Sequence, residues 1–203
     1  AFEGAQISAG QRAAPGAIER MRIDPETLEP RFSVIGSDIW SDEEGFAEAI
    51  KDTGITGICG SGIIEALGEM YLAGIITAEG VIDGNLASRT DRIRADGRTF
   101  SYHITDTVSI LQNDVRAIQL AKAALHAGFR LLMDKMQLER VDRVILAGAF
   151  GSYIDPKYAM VLGMVPDCPL DKVIAAGNSA GAGARMALLN TDQRRAIEET
   201  VRH

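Results

Sequence analysis

The segment from Val141 to Gly151, VDRVILAGAFG, constrains the fold of this chain more than any other. Arg143 to Ala147 is a short apolar run with turn residues on either side, the pattern of a strand covered on both faces in a parallel sheet. The run stops at Gly148, and Gly151 follows shortly after, so the backbone is free to turn where a β-carbon would forbid it. Main-chain NH groups at such a turn can approach a bound molecule, and in open α/β sheets ligands occupy the crevice beyond the carboxyl ends of the strands. A tight connection without a ligand would use the same glycines.

A second unit of the same kind follows. Lys172 to Ala176 predicts a short strand, ending in Gly177-Asn-Ser-Ala-Gly-Ala-Gly-Ala184, which places small residues where a helix begins and leaves Asn178 as its cap. Between the two units, Asp155-Pro156 predicts a short helix to about Leu162, closed by Gly163 and Pro166. Thr191 to His203 predicts a charged surface helix with Thr191 as its cap.

Upstream, Leu111 to Met136 is the longest helical pattern. Leu111, Val115, Ile118, Leu125, Phe129, Leu132 and Met136 recur at helical spacing and predict a continuous buried stripe. Ser109 with Gln112 would make a capping box, or Asn113 would cap a later start. The opening Gln112-Asn-Asp-Val-Arg116 is polar, which suits either a pocket lining or a solvated first turn.

Ile55-Thr-Gly-Ile-Cys-Gly-Ser-Gly62 leads into a predicted helix over Ile63 to Ala73 that Gly74 stops. Glycines at a helix start expose NH groups that suit a phosphate, or they allow close packing. The spacing of Gly57, Gly60 and Gly62 is neither the dinucleotide fingerprint nor the Walker pattern. Ala17 to Asp24 and Arg31 to Ile35 predict one hairpin, and Asp96-Gly97 marks a second between Arg92 to Arg94 and Thr99 to Ile104. Trp40 is expected to pack against the body. Glu3, the one acidic group of the opening loop, has either a solvated or a magnesium-related role.

Length and composition bound what these pieces can do. With 203 residues and 46% hydrophobic content, the chain reads as one globular unit with an ample core. A net charge of -7 argues against a nucleic-acid surface and gives no basic face for anionic lipid. No apolar segment is long enough to span a bilayer. Cys59 and Cys168 are far apart, so neither a disulfide framework nor a zinc site is indicated, and a reducing cytoplasm is the expected location.

The order of VILAGAFG and VIAAGNSAGAGA after a long helix resembles the C-terminal lobe of the actin-like ATPase superfamily, which includes actin, acetate kinase and sugar kinases. With AFEG, TGICGSGIIEAL and QNDVRAIQLAKAAL added, the chain resembles, from Ala1 to about Leu189, the ATPase-domain part of the reductive activators of corrinoid proteins. The resemblance implies an α/β fold: the C-terminal lobe of an actin-like, ribonuclease H-like ATPase, with a mixed sheet and helices on its faces. It implies that Gly148, Ala149, Phe150 and Gly151 face the adenosine of ATP, with Gly177, Asn178 and Gly181 in the connecting element of the nucleotide site. Gly57, Gly60, Ser61, Gly62, Gln112, Asn113, Asp114 and Arg116 are family motif positions expected to line the cleft, as is Glu3.

Family members also carry an acidic, glycine-rich phosphate motif upstream and an N-terminal domain whose four cysteines hold a [2Fe-2S] cluster. Two isolated cysteines cannot supply four thiolates, so the resemblance places the cluster outside this chain. The expected cofactors are ATP with Mg2+, and the expected partner is the corrinoid protein of a methyltransferase system, with homodimer formation left open. The implied activity is ATP-dependent return of inactive Co(II) to Co(I). A small-molecule kinase of the same superfamily and a non-catalytic scaffold are the alternatives.

Overall fold

The computed structural model describes residues 6–148, 151 and 153–202. Glu3, Ala149 and Phe150 lie outside the described residues. The chain divides into two compact units: the first runs to Arg140 and includes Ile154–Asp167, and the second comprises Val141–Tyr153 and Cys168–His203.

The first unit holds two small sheets and four α-helices among its described residues. β1 (Ala17–Ile23) pairs antiparallel with β2 (Pro30–Val34), with Met21 opposite Phe32, and forms the predicted hairpin. Asp24 holds the connecting turn by accepting from the amides of Glu26 and Thr27, both at 2.8 Å. α1 (Phe46–Ala49) is a single turn. β3 (Gly57–Ile58) runs parallel to β1, pairing only Ala17 and Ile18. The chain then enters α2 (Gly60–Leu72), whose glycines form its first turn rather than a loop before it.

β4 (Ile93–Asp96) and β5 (Thr99–His103) form the hairpin that Asp96-Gly97 signalled, and β6 (Ser109–Leu111) completes that sheet on the far side of β5. α3 (Gln112–Lys135) follows without a break. Its cap differs from both sequence expectations: Ser109 is committed to β6, and the Asp114 carboxylate accepts from the Leu111 amide at 2.8 Å. α4 (Pro156–Val161) is capped as predicted, with Asp155 accepting from the Lys157 amide at 2.9 Å.

One apolar core joins these elements. Ile18 and Met21 of β1, Ile63, Ile64, Leu67 and Met70 of α2, Ile110, Val115 and Ile118 around the start of α3, Tyr102 of β5 and Tyr158 of α4 all belong to it. Trp40 is half-buried, with the guanidinium groups of Arg22 and Arg31 at 5.7 and 4.9 Å from its ring centroid.

The second unit contains β7 (Val144–Ala147), β8 (Val173–Gly177), α5 (Ser179–Leu189) and α6 (Thr191–Thr200). β7 and β8 are parallel neighbours. Asn190, not Thr191, caps α6, because its side chain reaches the amides of Asp192 and Gln193. None of the described residues of this unit is buried. Ile145 and Ile174 are 54% and 49% exposed, so the strand expected to be covered on both faces is half open here.

The stripe on α3 shows the same discrepancy. Val115 and Ile118 are buried, but Leu125, Leu132 and Met136 are exposed. Periodicity identifies the apolar face of the helix, but in its later turns only Met133 is buried.

Candidate functional site

The two strand-glycine bends come together through a register shift. Val144, Ile145 and Leu146 face Val173, Ile174 and Ala175, and then Ala147 faces Gly177, so β8 carries one extra residue at its end. Such a bulge re-aims the residues that follow it. Here it sets Gly148 beside Gly177, with the Gly148 amide donating to the Gly177 carbonyl at 2.7 Å.

Both glycines have backbone angles that disfavour side chains, with φ of +105° at Gly148 and +65° at Gly177. A β-carbon on Gly177 would meet no described atom within 4 Å, so it would project into open space beyond the strand ends. Both strands run parallel, and the bends stand at their carboxyl ends, the place where open α/β sheets bind ligands. A flat heterocycle can lie against backbone there because no β-carbon holds it off. The bends thus leave room for a flat group against the backbone.

Asn178 opens α5 by accepting from the Gly181 amide at 2.9 Å, as its predicted capping role requires. A β-carbon on Gly181 would come 2.8 Å from the Asn178 side-chain nitrogen, so the cap itself explains the glycine. Gly151 follows the β7 bend, packed against Leu146 of its own strand.

The second glycine cluster is built differently. Gly57 lies in β3, and Gly60, Ser61 and Gly62 form the buried opening of α2. A β-carbon on Gly62 would stand 2.4 Å from the carbonyl oxygen of Ile18 in β1. Close approach of helix to strand accounts for this glycine. Ser61 and Cys59 share a contact of 3.2 Å between Oγ and Sγ.

The polar opening of α3 is engaged within the fold. Gln112 is buried, accepting from the Ile82 amide at 2.9 Å and donating to the Gly80 carbonyl at 2.7 Å. Asp114 is buried too; besides capping Leu111 it accepts from the amide and hydroxyl of Ser8 at 2.8 and 3.0 Å. Arg116 donates to the Glu79 carbonyl at 3.0 Å and to the Gln119 side chain at 2.6 Å. Asn113 is exposed. Among the described residues there is no group of three or more His, Cys, Asp or Glu side chains arranged to hold a metal ion.

One polar cluster was not legible in the sequence. Glu65 and Glu69, four residues apart on α2, turn inward to the open edge of β1. β3 pairs with β1 only at Ala17 and Ile18, which leaves the amides of Met21 and Ile23 without a strand partner. Glu65 accepts from Met21 at 3.0 Å and Glu69 from Ile23 at 2.9 Å, because the helical repeat of four residues matches two residues of extended strand. Arg20 and Arg22 each donate to Glu65 at 2.6 Å, and Tyr158 donates to Glu69. Burial opposes the charge on both arginines, but the Glu65 carboxylate outweighs it and holds their pKa above the ordinary value. Burial, reinforced by the bond to Glu69, raises the Tyr158 hydroxyl. The signal available in sequence was two acidic residues four apart in an otherwise uncharged, largely apolar helix; it marks a buried charge only once the partners are known.

Comparison with known proteins adds an independent line. A family model described as the C-terminal domain of RACo, the ASKHA domain, matches residues 1–203. The chain is 33% identical over 208 residues to the corrinoid activation enzyme RamQ of Eubacterium limosum, covering 95% of this chain and 32% of that protein. A solved structure described as a reductive activator for corrinoid, iron-sulfur protein superposes with a TM-score of 0.80 at 33% identity, covering 99% of this chain and 31% of the other. The chain thus spans about a third of the length of these relatives. Among the described residues no helix is long and apolar enough to cross a membrane.

Proposed function

This chain belongs to the family of the C-terminal, ASKHA domain of RACo, and on that premise we propose that it forms the adenosine side of an ATP cleft in a protein that reactivates a corrinoid partner. In the longer protein, ATP binding would drive return of an inactive Co(II) corrinoid to Co(I). The fold is that of the actin-like ATPase superfamily, with mixed sheets flanked by helices. The observation that carries the reading is the pair of glycine bends at the ends of β7 and β8, joined by the bond between Gly148 and Gly177.

Each residue has a limited task in this scheme. Gly148 and Gly177 keep β-carbons out of the crevice, Gly151 lets the chain turn past it, and Asn178 fixes the start of α5 by closing onto Gly181. ATP supplies differential binding free energy between two conformations, which is what an uphill one-electron reduction needs from a nucleotide. The phosphates, Mg2+ and the [2Fe-2S] electron donor are assigned to parts of the longer protein outside this chain. The names of both relatives refer to corrinoid activation, which favours this reading over a small-molecule kinase or a scaffold.

The test is reduction of a Co(II) corrinoid protein by the full-length protein with and without ATP, followed by absorbance. An ATP-dependent rate is expected; equal rates would refute the proposal.

A further inference from the structure

The segment that joins the two strands of the candidate nucleotide site does not belong to the unit that contains them. β7 and β8 lie in the second unit, whereas Ile154–Asp167 belongs to the first. A helix of six residues does not hold its conformation alone, so α4 owes its order to what it is docked against.

That docking centres on Tyr158. The side chain is fully buried and occupies a notch left by Gly68 of α2, where a β-carbon would come 2.5 Å from the ring. The guanidinium carbon of Arg22 stands 5.2 Å from the ring centroid and the Lys157 ammonium 4.8 Å from it, so cations from β1 and from α4 itself flank the aromatic group. The hydroxyl donates to one oxygen of Glu69, while the other oxygen accepts from the Ile23 amide. Tyr158 is therefore two hydrogen bonds from the backbone of β1. It is also only seven residues from Gly151 in the chain.

We propose that Tyr158 is a positioning residue for the nucleotide response: by fixing α4 to α2 it ties the segment between Gly151 and Val173 to the β1–α2 body, so that occupancy at the glycine bends reaches Ile23 through Glu69. The inference rests on the adenosine reading given above. The coupling runs through a continuous path of covalent chain, buried ring and carboxylate, and loses its polar link when the hydroxyl is removed. The ring alone fills the notch, so loss of the hydroxyl leaves the packing in place.

The experiment is amide hydrogen exchange on the full-length protein with and without ATP, comparing wild type with Tyr158→Phe, and with Gly68→Ala as a second variant that displaces the ring. Wild type should show ATP-induced protection both around Gly148 and Gly177 and at the amide of Ile23. Tyr158→Phe should bind ATP within about twofold of wild type yet lose at least about half of the protection at Ile23. Gly68→Ala should show the same pattern. Unchanged protection at Ile23 in both variants overturns the coupling role while leaving the adenosine reading intact. A loss of ATP binding parallel to the loss of protection also overturns it, since that marks a merely structural residue. Wild-type protein with no ATP-induced protection at Gly148 and Gly177 removes the adenosine reading and the proposal together.

Discussion

Gly148 and Gly177 end two neighbouring parallel strands and are joined directly, amide to carbonyl, at 2.7 Å. The bulge in β8 is what makes this bond possible, because it brings Gly177 opposite Ala147 one residue later than the regular register would. The two strand ends are thus joined to each other at the glycines themselves. A nucleotide site benefits from such a link, since a preformed surface spares the ligand the entropic cost of ordering it.

Replacing Gly62 by alanine should destabilise the chain by about 1–3 kcal/mol, as expected for overpacking against atoms that cannot yield. The new β-carbon would meet the Ile18 carbonyl, which belongs to the paired part of β1. A urea titration checks this through the midpoint. An unchanged midpoint would mean that α2 and β1 can separate freely, contrary to the packing described.

Glu65→Gln should cost about 1.5–3 kcal/mol, the range for hydrogen bonds to a charged group. The amide can still accept from Met21, but Arg20 and Arg22 would then share no carboxylate. Both arginines are about one-third exposed, so water softens the loss and keeps it below that of a fully buried pair. Double-mutant cycles with Arg20→Met and Arg22→Met should show coupling energies for both pairs; strict additivity would contradict the assigned contacts.

His103 makes stability pH-dependent in a defined direction. Burial, and then the nearby Arg94 guanidinium, lower its pKa from 6.5, and its Nδ1 is buried without a partner among the described residues. The unfolded chain therefore takes up a proton at a higher pH than the folded one. Stability falls as pH drops below 6.5 and goes on falling until the folded imidazole itself titrates. His103→Gln should flatten the urea midpoint between about pH 7 and pH 5.5 relative to wild type; an identical slope would assign the dependence to other groups.

What was legible in the sequence was local. Asp96-Gly97 fixes a hairpin through its own turn chemistry, Asp155-Pro156 carries its helix start within two residues, and Asn178 needs only the Gly181 amide to act as a cap. Failures arose where a neighbour decides. Ser109 looked like a helix cap until β5 recruited it into β6. Asn190 displaced Thr191 as cap by one residue, a difference that only backbone geometry resolves. Leu125, Leu132 and Met136 fall on the expected face of α3, but spacing does not say what covers a face. Glu65 and Glu69 read as ordinary helix carboxylates because the unpaired amides of Met21 and Ile23 are created by the shortness of β3. At the candidate site, the glycines were visible in sequence, whereas the bulge that aligns them was not.

If the bends at Gly148 and Gly177 form the adenosine wall, the ATP-induced gain in stability of the full-length protein depends on the glycine at 177, and comparing wild type with Gly177→Val reads this out. With ATP at a hundredfold excess over its dissociation constant, wild type should gain about 2.7 kcal/mol. The variant, compared with its own ligand-free baseline, should lose most of that gain, because its side chain would occupy the open space beside the strand ends. Equal stabilisation of the two proteins, or none in wild type, would contradict the account.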